Sequence, residues 1–263
     1  MVRDEGDARV LHECGGSFFG GVFMDLLQWN ASTLEERWRL RCEGQIGALI
    51  CLTAFGNLVI GGYSDKCLRV WNTATGGYDH VLRGHAGVVW CVIAKGEFLV
   101  SGSSDNTIKV WANEGDGSWP CLGTIVVHTG WVIAIVEWEG RVISSPGSVD
   151  KAIKVSDIVT RQHEATIYAH TGAVCVLAVS GRTLLSTGHD CTIGVWALGT
   201  WSHIRRIRVS EHVPDALYCC NLALSGSMLL CGGTCMDEKS GFGMVLDADT
   251  SILSTSAARP SRQ

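Results

Sequence analysis

The chain has 263 residues, of which 46% are hydrophobic and 18% are charged, and its net charge is −5 at pH 7. This length suits one large all-β domain or two average domains. The acidic balance argues against a nucleic-acid-binding protein, which needs a basic stripe. The sequence contains no stretch of about 18 apolar residues, so we expect no membrane span.

The 12 cysteines are spread along the chain, and most of them lie within apolar strand patterns. The first residues are polar and acidic, with no apolar signal region behind them. We therefore expect reduced thiols and a cytoplasmic protein, with the nucleus left open. No two cysteine or histidine pairs stand at the spacing of zinc ligands, so we expect no metal and no cofactor.

Four segments can be aligned almost without gaps, and each contains an aspartate shortly before an apolar strand. They end in YSDKCLRVW (63–71), SSDNTIKVW (103–111), SVDKAIKVS (148–156) and GHDCTIGVW (188–196). The aspartates Asp65, Asp105, Asp150 and Asp190 are spaced 40, 45 and 40 residues apart. A repeat of this length is the period of the blades of WD-repeat propellers.

The repeat at 84–127 shows the strand order expected in each blade. Residues 88–94, 98–102, 107–111 and 121–127 are predicted as four strands, here called a, b, c and d. Gly96 separates strands a and b, where a positive φ permits a tight hairpin. The equivalent glycines of the other repeats are Gly56, Gly140, Gly181 and Gly226. Four short strands separated by turns are typical of one propeller blade.

In chain order, the repeats predict six blades in a single domain over residues 1–253, followed by a flexible tail at 254–263. The blades are at about 8–41, 44–83, 84–127, 128–168, 169–210 and 211–253. The first repeat leaves no room for a strand a, so we expect an incomplete first blade. Three possibilities stay open: the tail completes the ring, other sequence completes a seven-bladed ring, or the chain is a truncated copy.

These residues resemble the WD-repeat (WD40) family of β-propellers, strongly over about residues 44–212 and weakly elsewhere. Phrases such as LVSGSSDNTIKVW (99–111) and KAIKVSDIV (151–159) are most similar to propellers of ubiquitin ligases, namely TRAF-type RING proteins with a WD-repeat tail and F-box WD proteins. Neither a RING nor an F-box is present in the sequence. The resemblance implies an all-β fold of four-stranded antiparallel blades.

The chain departs from the family pattern in two of its repeats. Gln45 and Gly61 stand where histidine and serine are expected, and Ser156 stands where tryptophan is expected. We therefore expect the repeats at 44–83 and 128–168 to be the softer ones.

Two repeats carry a histidine, a serine, an aspartate and a tryptophan with the same gaps of 16, 4 and 6 residues. The sets are His85, Ser101, Asp105 and Trp111, and His170, Ser186, Asp190 and Trp196. Hydrolases use serine, histidine and aspartate together, but a catalytic triad should occur once and not once per blade. We therefore expect no catalytic residue and no enzyme. The resemblance implies a structural chain of hydrogen bonds from tryptophan through serine and histidine to aspartate, which their donors and acceptors allow.

In the WD-repeat family, partners usually bind the face formed by the turns that lead into strand a and those between strands b and c. Carried over residue by residue, this face predicts a protein-binding surface with Trp90, Ser104, Trp131, Ile133, His189 and Tyr218. Tryptophan and tyrosine are enriched at interface hot spots, although Trp90 and Trp131 also suit packing in the core or at a channel rim.

Two further features lie outside this face. Trp119, in the long loop at 113–119, is expected to be exposed and is a candidate contact. Arg205, Arg206 and Arg208 fall in an outer strand d, where basic side chains commonly discourage pairing between sheets.

The residues and the resemblance together predict a non-catalytic scaffold or adaptor that binds other proteins, with substrate recruitment for a ubiquitin ligase as a narrower specialisation. The predicted partners are proteins, such as ligase subunits or substrates, and neither nucleic acid nor a membrane. Two other classes stay open, a propeller enzyme with a site at the channel mouth and a nucleic-acid-associated WD module. The fold by itself does not decide between them.

Overall fold

The chain consists of β-strands joined by short turns. A computed structural model describes residues 10–14, 16–22, 25–40, 47–75, 77–115, 118–147, 150–211, 216–225, 228–235, 241–247 and 252–258. These residues form 24 β-strands and one short 3₁₀ turn, Val209–Glu211. No helix within these ranges is long and apolar enough to cross a membrane. The chain divides into two compact units, Met1–Val127 and His128–Gln263.

The first unit contains three four-stranded antiparallel sheets. The first sheet comprises β1 (Val10–Cys14), β2 (Ser17–Val22), β3 (Asp25–Asn30) and β4 (Glu36–Leu40). The second comprises β5 (Leu49–Phe55), β6 (Leu58–Tyr63), β7 (Leu68–Asn72) and β8 (Gly77–Leu82). The third comprises β9 (Val89–Lys95), β10 (Phe98–Ser103), β11 (Ile108–Ala112) and β12 (Cys121–Ile125).

The second unit contains three more sheets of the same kind. The fourth sheet comprises β13 (Val132–Trp138), β14 (Arg141–Pro146), β15 (Ile153–Asp157) and β16 (His163–Ile167). The fifth comprises β17 (Val174–Ser180), β18 (Thr183–Gly188), β19 (Thr192–Ala197) and β20 (His203–Arg208). The sixth comprises β21 (Ala216–Ser225), β22 (Met228–Cys235), β23 (Gly241–Asp247) and β24 (Ile252–Ala258).

Within each sheet the strands pair in chain order, so the predicted all-β class of four-stranded antiparallel blades is confirmed. The predicted a–b hairpins are formed with glycine in the left-handed region, at φ values of 57°, 58°, 77° and 55° for Gly56, Gly96, Gly140 and Gly181. Glycine takes this conformation at no steric cost, because it has no Cβ. Gly226 lies outside the described residues.

Two predictions about the ends of the chain are wrong. The first sheet has all four strands, since the short segment Val10–Cys14 pairs with β2 from Cys14↔Ser17 to Val10↔Gly21. At the other end, Ile252–Ala258 pairs with β23, so residues 254–258 belong to a strand and not to a flexible tail. Strand pairing is made by backbone groups, so a short segment or one of small residues can form a strand without a strong side-chain pattern. The single-domain organisation over 1–253 stays a prediction.

The hydrophobic core lies between the faces of neighbouring sheets. Apolar side chains of the second and third sheets pack together, including Ile60, Leu68, Leu99 and Trp111. The fourth and fifth sheets share a second core, which includes Ile143. The b strands β10, β14 and β18 are almost entirely buried, whereas the d strands β12, β16 and β20 are largely exposed. In these sheets the b strands therefore contribute to the core, and the accessible side chains lie on the d strands and in the turns.

Candidate functional site

In the third sheet, the four residues predicted to form a hydrogen-bonded chain are brought together. The indole Nε1 of Trp111 donates to Ser101 Oγ at 3.0 Å, and Ser101 Oγ lies 2.8 Å from His85 Nε2. His85 Nδ1 lies 2.8 Å from Asp105 Oδ2. The side chain of His85 is fully buried, whereas that of Asp105 is 11% exposed. This chain of hydrogen bonds ties strands b and c to the segment that precedes strand a and to the turn between strands b and c.

The fifth sheet repeats this geometry closely. Trp196 Nε1 donates to Ser186 Oγ at 3.0 Å, His170 Nε2 lies 2.8 Å from the same oxygen, and His170 Nδ1 lies 2.9 Å from Asp190 Oδ1. The same arrangement occurs in two sheets, as expected of a structural element that belongs to the repeat. The donor inventory assigns the direction, because a tryptophan only donates and an aspartate only accepts, which leaves neutral histidine with its proton on Nδ1.

The aspartate of each chain also holds the turn that it belongs to. Asp105 accepts hydrogen bonds from the amides of Ala86 and Thr107, at 2.8 and 2.9 Å, and from the Thr107 hydroxyl at 2.6 Å. Burial by itself would raise the pKa of Asp105, but the bonds donated by Thr107, Ala86 and His85 outweigh it and lower the pKa to about 2. The carboxylate is therefore ionised and bonded to neutral donors.

The protonation of His85 can be tested by titration. Burial lowers the pKa of His85 below its ordinary value of 6.5 and outweighs the opposing effect of Asp105. The folded protein then binds fewer protons at His85 than the unfolded chain does, so this contribution to stability is present above pH 6.5 and is lost as the pH falls below it. We expect NMR titration of the His85 imidazole to show a midpoint below 6.5 in the folded protein.

The same histidine in the urea-unfolded chain serves as the reference and should titrate near 6.5. A folded-state midpoint at or above that of the reference would contradict the neutral assignment. It would show a charged imidazolium paired with Asp105.

The fourth sheet contains a third chain of this kind that the sequence comparison missed. His128 Nε2 lies 2.8 Å from Ser144 Oγ, and His128 Nδ1 lies 2.7 Å from Asp150 Oδ2. A two-residue insertion lengthens the spacing from Ser144 to Asp150, which hides the match to the other two sets. The signal that could have revealed it is the His128-Thr129-Gly130 sequence, which repeats as His170-Thr171-Gly172.

This third chain lacks its tryptophan donor. Ser156 stands in that position, and its buried hydroxyl has no hydrogen-bond partner within the described ranges. Ser144 Oγ lies 3.4 Å from the Lys154 carbonyl oxygen instead. A buried hydroxyl without a partner costs stability, and the lower stability of the repeat at 128–168 stays a prediction.

The second sheet replaces the histidine–serine pair with an arginine and a tyrosine. The guanidinium of Arg69 donates to both carboxylate oxygens of Asp65, at 3.0 and 2.5 Å, and lies 4.5 Å from the centre of the Tyr63 ring. A Cβ at Gly61 would lie 2.9 Å from the Tyr63 ring and 2.6 Å from Leu49 Cδ1, so these side chains fill the space of the expected serine. Gln45 lies outside the described residues.

A second repeated feature brings two turns of each sheet together. The amide that follows strand b donates to the carbonyl that precedes strand a in four sheets: Ser64 to Ala48 at 2.9 Å, Ser104 to Val88 at 2.9 Å, Gly147 to Trp131 at 2.7 Å and His189 to Ala173 at 2.9 Å. In each of these sheets, the edge formed by the two paired segments is here called the turn face. Gly87 shows how close the segments are, since a Cβ there would lie 2.4 Å from Ser104 Oγ.

The side chains of the turn face differ in their accessibility. Trp131 is 53% exposed and His189 is also exposed, whereas Ser104, Ile133 and Trp90 are half-buried. The backbone of Tyr218 lies in β21, but its side chain lies outside the described residues. Trp131 and His189 therefore offer the most accessible surface among the predicted contact residues.

Trp119 is not an exposed contact, contrary to the prediction. It is only 7% exposed and packs with Trp111 and Leu82 in the core shared by the second and third sheets. The loop that carries it folds back, with the Glu114 amide donating to the Ser118 carbonyl at 3.3 Å. Burying a large aromatic ring is favourable, and the length of the loop allows the ring to reach the core.

In the part of the chain that the structure describes, no group of three or more His, Cys, Asp or Glu side chains could hold a metal ion. The serine, histidine and aspartate sets that do occur are bonded within their own sheets. Their serines are fully buried, so no substrate could approach them without opening the sheet.

The four-stranded antiparallel sheets and their repeated hydrogen-bonded chains have the architecture of the blades of WD40 propellers. Residues 76–112 and 161–197 match the family model for the WD domain, G-beta repeat. These two segments are therefore similar to WD40 repeats. Such repeats generally mediate binding between proteins, and propellers of this family are generally non-catalytic.

Two known proteins show how far this similarity extends. The chain is 28% identical over 89 residues to "Superkiller complex protein 8" of Dictyostelium discoideum, a match that covers 33% of this chain and 30% of the relative. The matched part thus spans less than a third of that relative. A crystal structure of the computationally designed Ika8 protein superposes with a TM-score of 0.77 over 96% of this chain and 75% of the other, at 24% identity. At that identity the likeness shows the fold alone.

Proposed function

We propose that this protein is a non-catalytic scaffold or adaptor that binds other proteins through its turn face. The observation that carries the proposal is Trp131, a large aromatic side chain that is 53% exposed on a turn whose backbone is held by the bond from Gly147 to Trp131. A rigid, accessible tryptophan is the kind of residue that dominates binding energy at interfaces. The name of the Dictyostelium relative describes a subunit of a complex, which supports the same general role.

The chemistry of the turn face suggests what kind of surface it binds. In the first unit its side chains are Ala48, Ile50, Ser64, Val88, Trp90 and Ser104. In the second unit they are Trp131, Ile133, Ala173, Cys175 and His189, with Gly147 between them. None of these residues carries a fixed charge, although Lys66 and Lys151 are exposed in the neighbouring b–c turns. The proposed partner therefore presents an apolar or aromatic patch to Trp131 and the residues around it.

The narrower proposal is that the partners are substrates of a ubiquitin ligase or subunits of it, in the cytoplasm. It is supported by the resemblance of residues 99–111 and 151–159 to ligase propellers.

The general proposal can be tested with Trp131→Ala. Loss of a tryptophan hot spot costs at least about 2 kcal/mol, or roughly thirtyfold in affinity. We expect affinity capture with quantitative mass spectrometry to show a set of partners with the wild-type protein that is lost with Trp131→Ala. Ligase subunits or ubiquitinated proteins within that set would support the narrower proposal.

Val159→Ala is the matched control, because Val159 is 62% exposed in the β15–β16 turn, at the opposite end of the same sheet. It should retain all partners. Circular dichroism should show that both variants stay folded. Equal retention by Trp131→Ala and the control would show that binding does not use the turn face.

A further inference from the structure

The outer strand of the fifth sheet is unusually exposed and basic. β20 (His203–Arg208) pairs only with β19, on one side, in the order of this sheet. Five of its six residues are exposed, and Ile204 is 56% exposed. A strand at the edge of a sheet presents a row of backbone N–H and C=O groups that can pair with another extended chain.

The charge of this sheet is opposite to that of the whole chain. Residues 169–210 contain four arginines and one acidic residue, Asp190, in a chain with a net charge of −5. Asp190 is already engaged by His170 and Thr171 within the sheet. Three of the arginines, Arg205, Arg206 and Arg208, lie on β20 itself, so the positive charge is concentrated at the edge.

The arginines lie along both faces of the strand. Arg206 is opposite Gly194 and Arg208 is opposite Thr192, so they share one face, whereas Arg205 is opposite Val195 on the other face. The Arg206 guanidinium also donates to the Ala169 carbonyl at 2.6 Å, which holds its side chain in place. The contact of Arg208 with Glu211 is 3.4 Å long, with side chains 69% and 59% exposed, and such surface pairs contribute little.

Other outer strands are less basic than β20. β4 (Glu36–Leu40) carries Arg37, Arg39 and Glu36, and Arg39 lies 3.6 Å from Glu36 and 3.7 Å from Asp25. β12 (Cys121–Ile125) contains no charged residue. In β16 (His163–Ile167), Glu164 is bonded to Arg141 at 2.6 Å. A basic edge is therefore a feature of β20 and not of every outer strand in the repeat.

We propose that the edge of β20 binds an acidic, extended peptide segment of a partner protein by β-strand addition. The backbone of the segment pairs with the outer side of β20, and its carboxylates pair with the arginines, for which planar two-pronged hydrogen bonding to carboxylates is characteristic. Ile204 supplies an apolar contact at the start of the strand. The same charges repel basic strands, and neutral strands gain no ion pairs there, so the edge favours acidic partners.

This site is separate from the turn face. A nucleic acid is the less favoured ligand, because the edge offers a backbone ladder and its aromatic ring, His203, already packs edge-on against Trp196 at 4.9 Å, whereas single strands stack on a series of aromatic rings. The chain as a whole is also acidic.

The test uses a fluorescein-labelled ten-residue peptide of alternating glutamate and valine, with fluorescence anisotropy as the readout on the full chain. We expect saturable binding that is at least tenfold tighter than that of the matching lysine–valine peptide. The R205Q/R208Q variant should bind the acidic peptide about tenfold more weakly, and R205K/R208K, which keeps the charges but loses the two-pronged hydrogen bonding, should fall between this variant and the wild type. N-methylation of the four central amides of the peptide should weaken binding at least tenfold while its charge is unchanged.

K151Q/R161Q is the control variant, since it removes two positive charges from turns of the fourth sheet; it should bind as the wild type does. Trp131→Ala should also leave peptide binding unchanged, which separates this site from the turn face. The proposal is overturned if R205Q/R208Q, folded by circular dichroism, binds normally, or if N-methylation has no effect. Tighter binding of a 20-nucleotide poly(dT) with the same arginine dependence would overturn it in favour of a nucleic acid.

Discussion

Replacing Asp105 with alanine should lower the free energy of unfolding by about 2–3 kcal/mol. Its carboxylate accepts hydrogen bonds from His85 Nδ1, the Ala86 amide, and the amide and hydroxyl of Thr107. His85 is fully buried, so its donor cannot turn to water when the acceptor is removed. The serine and tryptophan that depend on the position of His85 would also lose their geometry, because a partly satisfied buried network is costly.

The measurement is urea denaturation followed by tryptophan fluorescence. Glu97→Ala is the matched control, because it removes an exposed acid from the β9–β10 turn of the same sheet and should change the free energy of unfolding by less than about 0.5 kcal/mol. Asp105→Asn keeps an acceptor oxygen and should fall between the two. An Asp105→Ala midpoint equal to that of the control would show that the chain of hydrogen bonds does not stabilise the sheet.

Replacing Arg69 with methionine should lower the free energy of unfolding by about 2 kcal/mol. This loss is somewhat smaller than the loss expected when a fully buried ion pair is broken. The Arg69 side chain is 6% exposed and that of Asp65 is 27% exposed, so water compensates the carboxylate only in part. Methionine keeps much of the apolar stem against Tyr63, which isolates the loss of the charged hydrogen bonds. Stability is lost because the Arg69–Asp65 pair holds the β6–β7 turn in place, as the histidine–aspartate pairs hold the equivalent turns of other sheets.

A double-mutant cycle with Asp65→Asn separates the pair from the packing of the arginine stem. We expect a coupling energy above about 1 kcal/mol, since the two residues share both hydrogen bonds. Arg208→Met is the control, because it removes an arginine from an exposed ion pair and should leave stability nearly unchanged. A coupling energy near zero would show that Arg69 acts only through packing.

The same pair affects how stability depends on pH. Burial by itself would raise the pKa of Asp65, but its bonds and charge interaction with Arg69 lower the pKa below the ordinary value of 3.8. The pair therefore contributes stability above that value, and this contribution is lost as the pH falls below it. In Arg69→Met, the free energy of unfolding should therefore decrease less on acidification than it does in the wild-type protein.

The strands could be predicted well from the sequence because their signals are local. Alternating apolar residues, turn glycines such as Gly96 and the aspartate at each b–c turn lie within a few residues of the structure that they specify. The predicted strand 98–102 ends one residue before β10 (Phe98–Ser103) does, and the predicted strand 107–111 is shifted by one residue from β11 (Ile108–Ala112). The first and last strands were harder, because Val10–Cys14 and Ile252–Ala258 lack a repeat-like pattern and are ordered by backbone pairing with their neighbours.

The hydrogen-bonded chains could be predicted only where the spacing was unbroken. The sets that end in Trp111 and Trp196 have identical gaps, so comparison of repeats was sufficient. The chain at His128 was missed because an insertion changes one spacing, although it leaves the distances in space almost unchanged. Gaps along the sequence count residues, whereas a hydrogen bond depends on where the turns bring two atoms.

The sequence by itself determined the repeat period, the order of four strands in each repeat and the residues of the two regular chains, because these follow from local periodicity and from the match between repeats. Only the tertiary structure decided that Arg69 and Tyr63 replace the missing histidine and serine, that Trp119 is buried and that Trp131 is exposed. Each of these outcomes depends on space shared between strands or between neighbouring sheets. The room left by Gly61, for example, is filled by Leu49 and Tyr63, and no single repeat read along the chain contains that information.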